Sequence, residues 1–315
     1  MRVLWLLQRP PVLFIVLAMV LGGFGFAHWD HAAPAQGLGR LAWTSLAWAA
    51  LSAGTLWLNA DVDRDSGEVL LGHALPVPDG LNRWAYAALL VAMGLACGAG
   101  VATGAVMSVC VVLSVTYSHQ GVLWKGHPVF GPAVNWLGYG ILTPYAGYLA
   151  SGLPATARGL VLLLALSLAV LGAYFSAQAF QLEEDRTRGY RTLVVTRGPE
   201  VTLRVAQGLM TVAWLGLVGM SVAGWLPRAL LLIAPLWFWV WRWFRTWRSM
   251  SDGGTEWMAR GLVKRCATLA FISFVLVFVI YVRESVLGLP VAGQGTAVVF
   301  HDKWPTAASP AGRLP

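Results

Sequence analysis

A chain of 315 residues with 57% apolar and only 11% charged side chains lacks the polar surface of a soluble globule, where charged residues make up about 25%. A mean hydropathy of +0.65 excludes disordered and fibrous classes and leaves a polytopic membrane protein. The net charge of +8 belongs to loop residues that hold membrane topology, and no basic run interleaves with a soluble fold to suit a nucleic acid.

Nine apolar segments follow in chain order: 11–27, 41–58, 84–97, 101–116, 130–150, 157–180, 201–222, 229–243 and 267–282. The third and fourth form one continuous run that exceeds a single tilted span, so it divides at Gly98 and Gly100. The expected fold is an all-α transmembrane bundle of about nine spans. Residues 1–286 form one domain, and residues 287–315 form an extracytoplasmic tail with little pattern. Of the 22 basic residues, 16 fall on the N-terminal side and the loops after even-numbered spans, and 6 on the other side. This asymmetry places the N-terminus in the cytoplasm and the C-terminus outside. The expected location is the inner membrane of a bacterial or archaeal cell, in contact with its lipids.

Cys97, Cys110 and Cys266 lie in or beside apolar segments and form no CxxC. They read as small apolar side chains rather than a disulfide or zinc framework. Trp237, Trp239, Trp241, Trp243 and Trp247 crowd one end of the eighth segment beside Arg242, Arg245 and Arg248. An interfacial belt with snorkelling arginines accounts for them, and an aromatic pocket for a cation is the alternative.

The acids carry more information. Seven of the 14 fall in two clusters, Asp61, Asp63, Asp65 and Glu68 after the second segment and Glu183, Glu184 and Asp185 after the sixth. Both clusters emerge on the same expected face. Carboxylates at the hydrocarbon edge are costly unless neutralised. Their paired arrangement suits a divalent cation such as Mg²⁺, which takes one or two carboxylates plus phosphate oxygens and water. On a helix Asn59 and Asp63 share one face and Asp61 and Asp65 another, and Gln181 and Asp185 are again four residues apart. Between the clusters, Tyr117 could hydrogen-bond a substrate oxygen and Lys125 is a point charge suited to phosphate. His119 and His127 have no third His or Cys beside them and read as interface residues.

These residues resemble the UbiA superfamily of intramembrane prenyltransferases, in its chlorophyll synthase-like and archaeal lipid-type branch. The family motif Asn-Asp-x-x-Asp-x-x-x-Asp aligns with Asn59, Asp63 and Arg64. The run Tyr117-Ser118 to Lys125 resembles the family loop, and Glu183-x-Asp185-Arg186-x-x-Gly189 with Thr192-Leu193 resembles the second motif. The resemblance implies Mg²⁺ held by Asn59, Asp61, Asp63, Asp65, Gln181, Glu183 and Asp185. It implies an isoprenyl diphosphate bound by Arg64, Lys125 and Arg186, and transfer to a lipophilic acceptor with Asp63, Tyr117 and Asp185 at the reacting centre. Ala60, Gly67, Gln178 and Gln181 stand where the family places further acids. They leave a membrane terpene cyclase and a non-catalytic paralogue as alternatives. Restoring an acid by Ala60→Asp is expected to ease the Mg²⁺ requirement.

Overall fold

The computed structural model of the chain describes residues 2–31, 33, 36–64, 69–72 and 74–281. The tail 287–315 and the acids Asp65 and Glu68 lie outside the described residues. Within them the helices are α1 (Arg2–Leu7), α2 (Pro10–His31), α3 (Leu38–Asp63), α4 (Leu81–Ala99), α5 (Val101–Ser118), α6 (Phe130–Asn135), α7 (Thr143–Ser151), α8 (Ala157–Ala179), α9 (Leu182–Thr187), α10 (Leu193–Val222), α11 (Trp237–Arg248) and α12 (Glu256–Tyr281). A π-helical turn, Trp136–Leu142, joins α6 to α7, and a 3₁₀ segment, Arg228–Leu236, leads into α11.

Each of the nine apolar segments falls on this framework. Among the described residues, seven helices are long and apolar enough to cross a membrane: α2, α3, α4, α5, α8, α10 and α12. The fifth and eighth segments are composites, α6–π–α7 and the 3₁₀ segment with α11. The long third run breaks at Gly100, whose φ of 139° and ψ of 161° are essentially open to glycine alone. In α10 the backbone kinks at Gly198 (φ 81°) before Pro199, so the span proper starts close to the expected position. Helix α12 begins earlier than expected, at Glu256. Its first turns carry Arg260, Lys264 and Arg265, and hydropathy alone registers only the apolar remainder.

Two packed groups build the bundle. One joins α2, α3, α4, α5 and α7 through Val20, Trp48, Leu89, Met107 and Ala146; the other joins α8, α10, α11 and α12 through Phe175, Leu203, Phe244, Trp247 and Leu262. Lipid is as apolar as these side chains, so close fit between helices, rather than escape from water, holds them together. The contact of α2 with α7 shows this best. A Cβ on Gly23 would lie 1.8 Å from the Pro144 carbonyl oxygen, and one on Gly147 would lie 1.8 Å from that of Val20. Large side chains such as Phe14, Leu90 and Phe271 stay exposed on the outer faces, where a hydrocarbon solvent accepts them.

The tryptophan group divides. Trp247 is fully buried and donates to the Gly253 carbonyl at 2.8 Å, so it belongs to the core and not to a belt. Trp239 is exposed, and Arg265 of α12 lies 4.8 Å from its ring and 3.6 Å from that of Trp243. Of the cysteines, Cys110 is buried as expected, whereas Cys97 is exposed on the outside of α4.

Candidate active site

The last turns of α3 point Asn59 and Asp63 the same way, one helical turn apart, before the helix ends at Arg64 in a left-handed conformation (φ 46°). Lys125 arrives from a 3₁₀ turn, Trp124–Gly126, just beyond α5. Its ammonium donates to Asn59 Oδ1 at 3.2 Å and forms a short contact with Asp63 Oδ1. Ser118 Oγ donates to the same Asn59 oxygen at 3.3 Å. Both partners of the Lys125–Asp63 pair are withdrawn from solvent, with side-chain exposures of 5% and 7%.

The second acidic cluster closes onto this pair. Asp185 is buried on the short helix α9 and accepts from Thr192 Oγ1 at 2.6 Å. Arg188 Nη2 donates to the backbone carbonyl of Asp63 at 3.2 Å and to Glu184 Oε1 at 2.8 Å, and its Nη1 lies 4.0 Å from Asp63 Oδ1. The Tyr190 hydroxyl donates to Asp63 Oδ1 at 3.4 Å. Arg191 N–H donates to the Gly126 carbonyl at 2.8 Å and ties the two loops together. Burial is the main influence pushing the Asp185 carboxyl above the usual carboxylate range. Asp63 adds to it, while the Thr192 hydrogen bond, Arg188 and Lys125 oppose it. Burial, followed by the Asp63 charge, likewise raises the Tyr190 phenol and keeps it a proton donor.

Below this charged mouth a cavity of about 300 Å³ runs between the two packed groups of helices. Of the residues expected at the site, Asn59, Asp63, Tyr117, Lys125, Gln181 and Asp185 line it together. Others do not. Asp61 is half-buried on another face of α3, and Arg64 is exposed at the helix end. Glu183 and Arg186 are exposed and pair with each other at 2.7 Å, because α9 turns them outward as it turns Asp185 in. Asp65 lies outside the described residues. His127 Nδ1 accepts from the backbone N–H groups of Val129 and Phe130, and His119 Nδ1 from that of Gly121, so both shape turns. Ala60 packs with Leu7 and Leu81 away from the cavity, so an aspartate there would enter an apolar contact rather than the site.

The cavity also contains Arg9, Tyr174, Gln178, Arg188, Tyr190 and Thr192, to which sequence spacing assigned no role at the site. In the sequence Gln178 and Thr192 are motif positions only. Among the described residues no three His, Cys, Asp or Glu side chains converge as a metal cage. The donor set nevertheless fits a hard cation shared with phosphate. It has two carboxylates, the Asn59 amide and Gln181, with the buried Gln178 Oε1 in the same wall lacking any hydrogen-bond partner.

Among the described residues, seven membrane-length helices and two composite apolar segments enclose a cavity with an ionic mouth, and they define an integral membrane protein. The chain belongs to the UbiA prenyltransferase family, whose sequence profile matches residues 10–275. The fold is that of a UbiA homologue from Archaeoglobus fulgidus. Its structure bound to DMAPP and Mg²⁺ aligns with a TM-score of 0.63 at 17% identity, covering 87% of this chain and 99% of that one. The same homologue bound to GPP and Mg²⁺ aligns with a TM-score of 0.61 at 18% identity over 87% and 99%. A digeranylgeranylglyceryl phosphate synthase aligns with a TM-score of 0.57 at 14% identity over 88% and 99%. Among curated proteins none matches the sequence.

Proposed function

We propose that this chain transfers an isoprenyl group from an isoprenyl diphosphate to a lipophilic acceptor inside the membrane, with a divalent cation at the diphosphate. The observation that carries this reading is the continuity of one cavity. Carboxylates and cations from both loops meet at its mouth, and Val12, Val16, Leu51 and Leu113 line its depth. An isoprenyl diphosphate has the same division, an anion at one end and hydrocarbon at the other. Similar structures hold DMAPP or GPP with Mg²⁺, which supports the same donor class here.

Lys125 and Arg188 lie where they neutralise diphosphate oxygens as charge develops on the leaving group. Asn59, Asp63, Gln181 and Asp185 would hold Mg²⁺, which offsets diphosphate charge when bound. The rings of Tyr117, Tyr139 and Tyr174 line the same cavity. They offer π faces to an allylic cation at about 1–2 kcal/mol each. The mouth lies on the side rich in basic residues, so it opens to the cytoplasm.

The test is incubation of purified protein with a series of isoprenyl diphosphates, Mg²⁺ and a panel of lipophilic acceptors. Prenylated acceptor together with released diphosphate is the expected result. A cyclised hydrocarbon would assign the chain to the terpene cyclases, and no diphosphate release with any donor would mark it as non-catalytic.

A further inference from the structure

Helical Ser and Thr residues inside a bilayer usually return their proton to a carbonyl of their own helix. Ser108, Ser176, Thr211, Ser221 and Ser273 all do so here, at 2.7–3.0 Å. The part of the cavity wall formed by α3 and α5 behaves differently. Ser52 of α3 is 2% exposed and its Oγ has no hydrogen-bond partner. One turn nearer the mouth, Thr55 and Ser114 bond to each other at 2.8 Å instead of to their own helices. All three line the cavity. Ser52 lies seven residues before Asn59, about 10 Å deeper along the helix axis.

We propose that Ser52, with the Thr55–Ser114 pair beside it, is a binding site for an oxygen function on the prenyl acceptor, remote from the atom that is prenylated. This rests on the prenyltransferase reading above. The donor cannot satisfy the wall, because beyond its diphosphate it is hydrocarbon and would leave the Ser52 proton unpaired in a water-poor site. A carbonyl, ether or hydroxyl oxygen on the acceptor accepts that proton. The acceptor class is therefore an oxygenated lipid or ring compound, with the isoprenyl tail running along Val12 and Val16 of α2.

The experiment uses the full-length protein in lipid nanodiscs and two probes that differ by one carbonyl, α-tetralone and tetralin, with empty nanodiscs subtracted. Wild type is expected to prefer α-tetralone by about five- to tenfold, the range of one hydrogen bond. Ser52→Ala should erase the preference while leaving tetralin binding and Mg²⁺-dependent geranyl diphosphate binding unchanged. Ser52→Thr, which keeps the hydroxyl, should retain it and excludes a folding defect as the cause. Equal binding of the two probes to wild type would overturn the proposal. So would a preference that survives in Ser52→Ala, or a loss of geranyl diphosphate affinity in that variant, which would place Ser52 against the donor. If geranyl diphosphate binds to no variant, the prenyltransferase reading fails, and the probe pair still reports on Ser52 independently.

Discussion

At the scale of single residues, Asp63 gathers contacts from Lys125, Arg188 and Tyr190 at the mouth of the cavity. Removing one member of a buried pair leaves the other charge stranded, at a cost of about 3–5 kcal/mol, whereas removing both is far milder. Lys125→Met should therefore lower thermal stability in detergent more than the double variant Lys125→Met with Asp63→Asn, and a double-variant loss equal to the sum of the two single losses would show that the pair is not coupled. Turnover separates two neighbouring arginines. Arg188→Gln should reduce diphosphate release by at least about tenfold through lost charge stabilisation. Arg186→Gln, whose partner is the exposed Glu183, should stay within about twofold, as exposed pairs contribute little. The reverse result would restore the assignment that the motif suggested. Metal dependence has its own test at Gln181, which faces the cavity where Ala60 does not. Excess EDTA should abolish diphosphate release. Gln181→Glu adds a hard ligand there, so it should lower the Mg²⁺ concentration needed for half-maximal release, by about threefold or more.

At the scale of helices, the sequence revealed whatever followed a regular period. Asn59 and Asp63 were legible because one turn of α3 separates them, and Gln181 and Asp185 because α9 keeps the same period. Arg188 and Tyr190 were not legible: they sit past the end of α9, where the turn at Gly189 (φ 71°) decides their direction. Arg9 comes from the break between α1 and α2, also in a left-handed conformation (φ 50°), and no periodicity extends to it. The hydropathy pattern located all nine segments but not how two of them are broken. Nor did it show which small residues carry contacts. The α2–α7 crossing makes that difference measurable. Gly147→Ala places a methyl group on the Val20 carbonyl, while Gly22→Ala meets nothing within 4 Å. The first should cost about 1–3 kcal/mol through forced separation of the helices. The second should be neutral or slightly stabilising, since Ala favours helix over Gly. Thermal unfolding of the two variants in one detergent decides it, and equal stability would mean that α2 and α7 are not in contact at these glycines.

At the scale of the whole molecule, the charged side chains that line the cavity among the described residues gather at one end, and that end determines on which side of the membrane the donor must be supplied. Lys125, Asp185 and Arg188 all belong to loops after even-numbered spans, with most of the basic residues. The opposite end of the bundle is closed by other contacts: Thr156 caps α8 through Gly159 N–H at 2.9 Å and also bonds Asp30, and the Tyr148 hydroxyl donates to the Pro154 carbonyl at 3.0 Å. An isoprenyl diphosphate carries about three negative charges and does not cross a bilayer unaided, since charge in hydrocarbon is strongly disfavoured. Sealed inside-out vesicles should therefore turn over externally added donor, and right-side-out vesicles should do so only after permeabilisation. Cysteine labelling gives the same information without turnover. In a background lacking Cys97, Cys110 and Cys266, Thr187→Cys lies at the mouth and Ala155→Cys at the opposite end, and both positions are exposed. An impermeant maleimide added to right-side-out vesicles should label position 155 and spare position 187, and inside-out vesicles should reverse the pattern. Labelling of position 187 from the outer side would mean that the mouth faces away from the cytoplasm. The basic asymmetry would then follow the local needs of the diphosphate site rather than membrane topology.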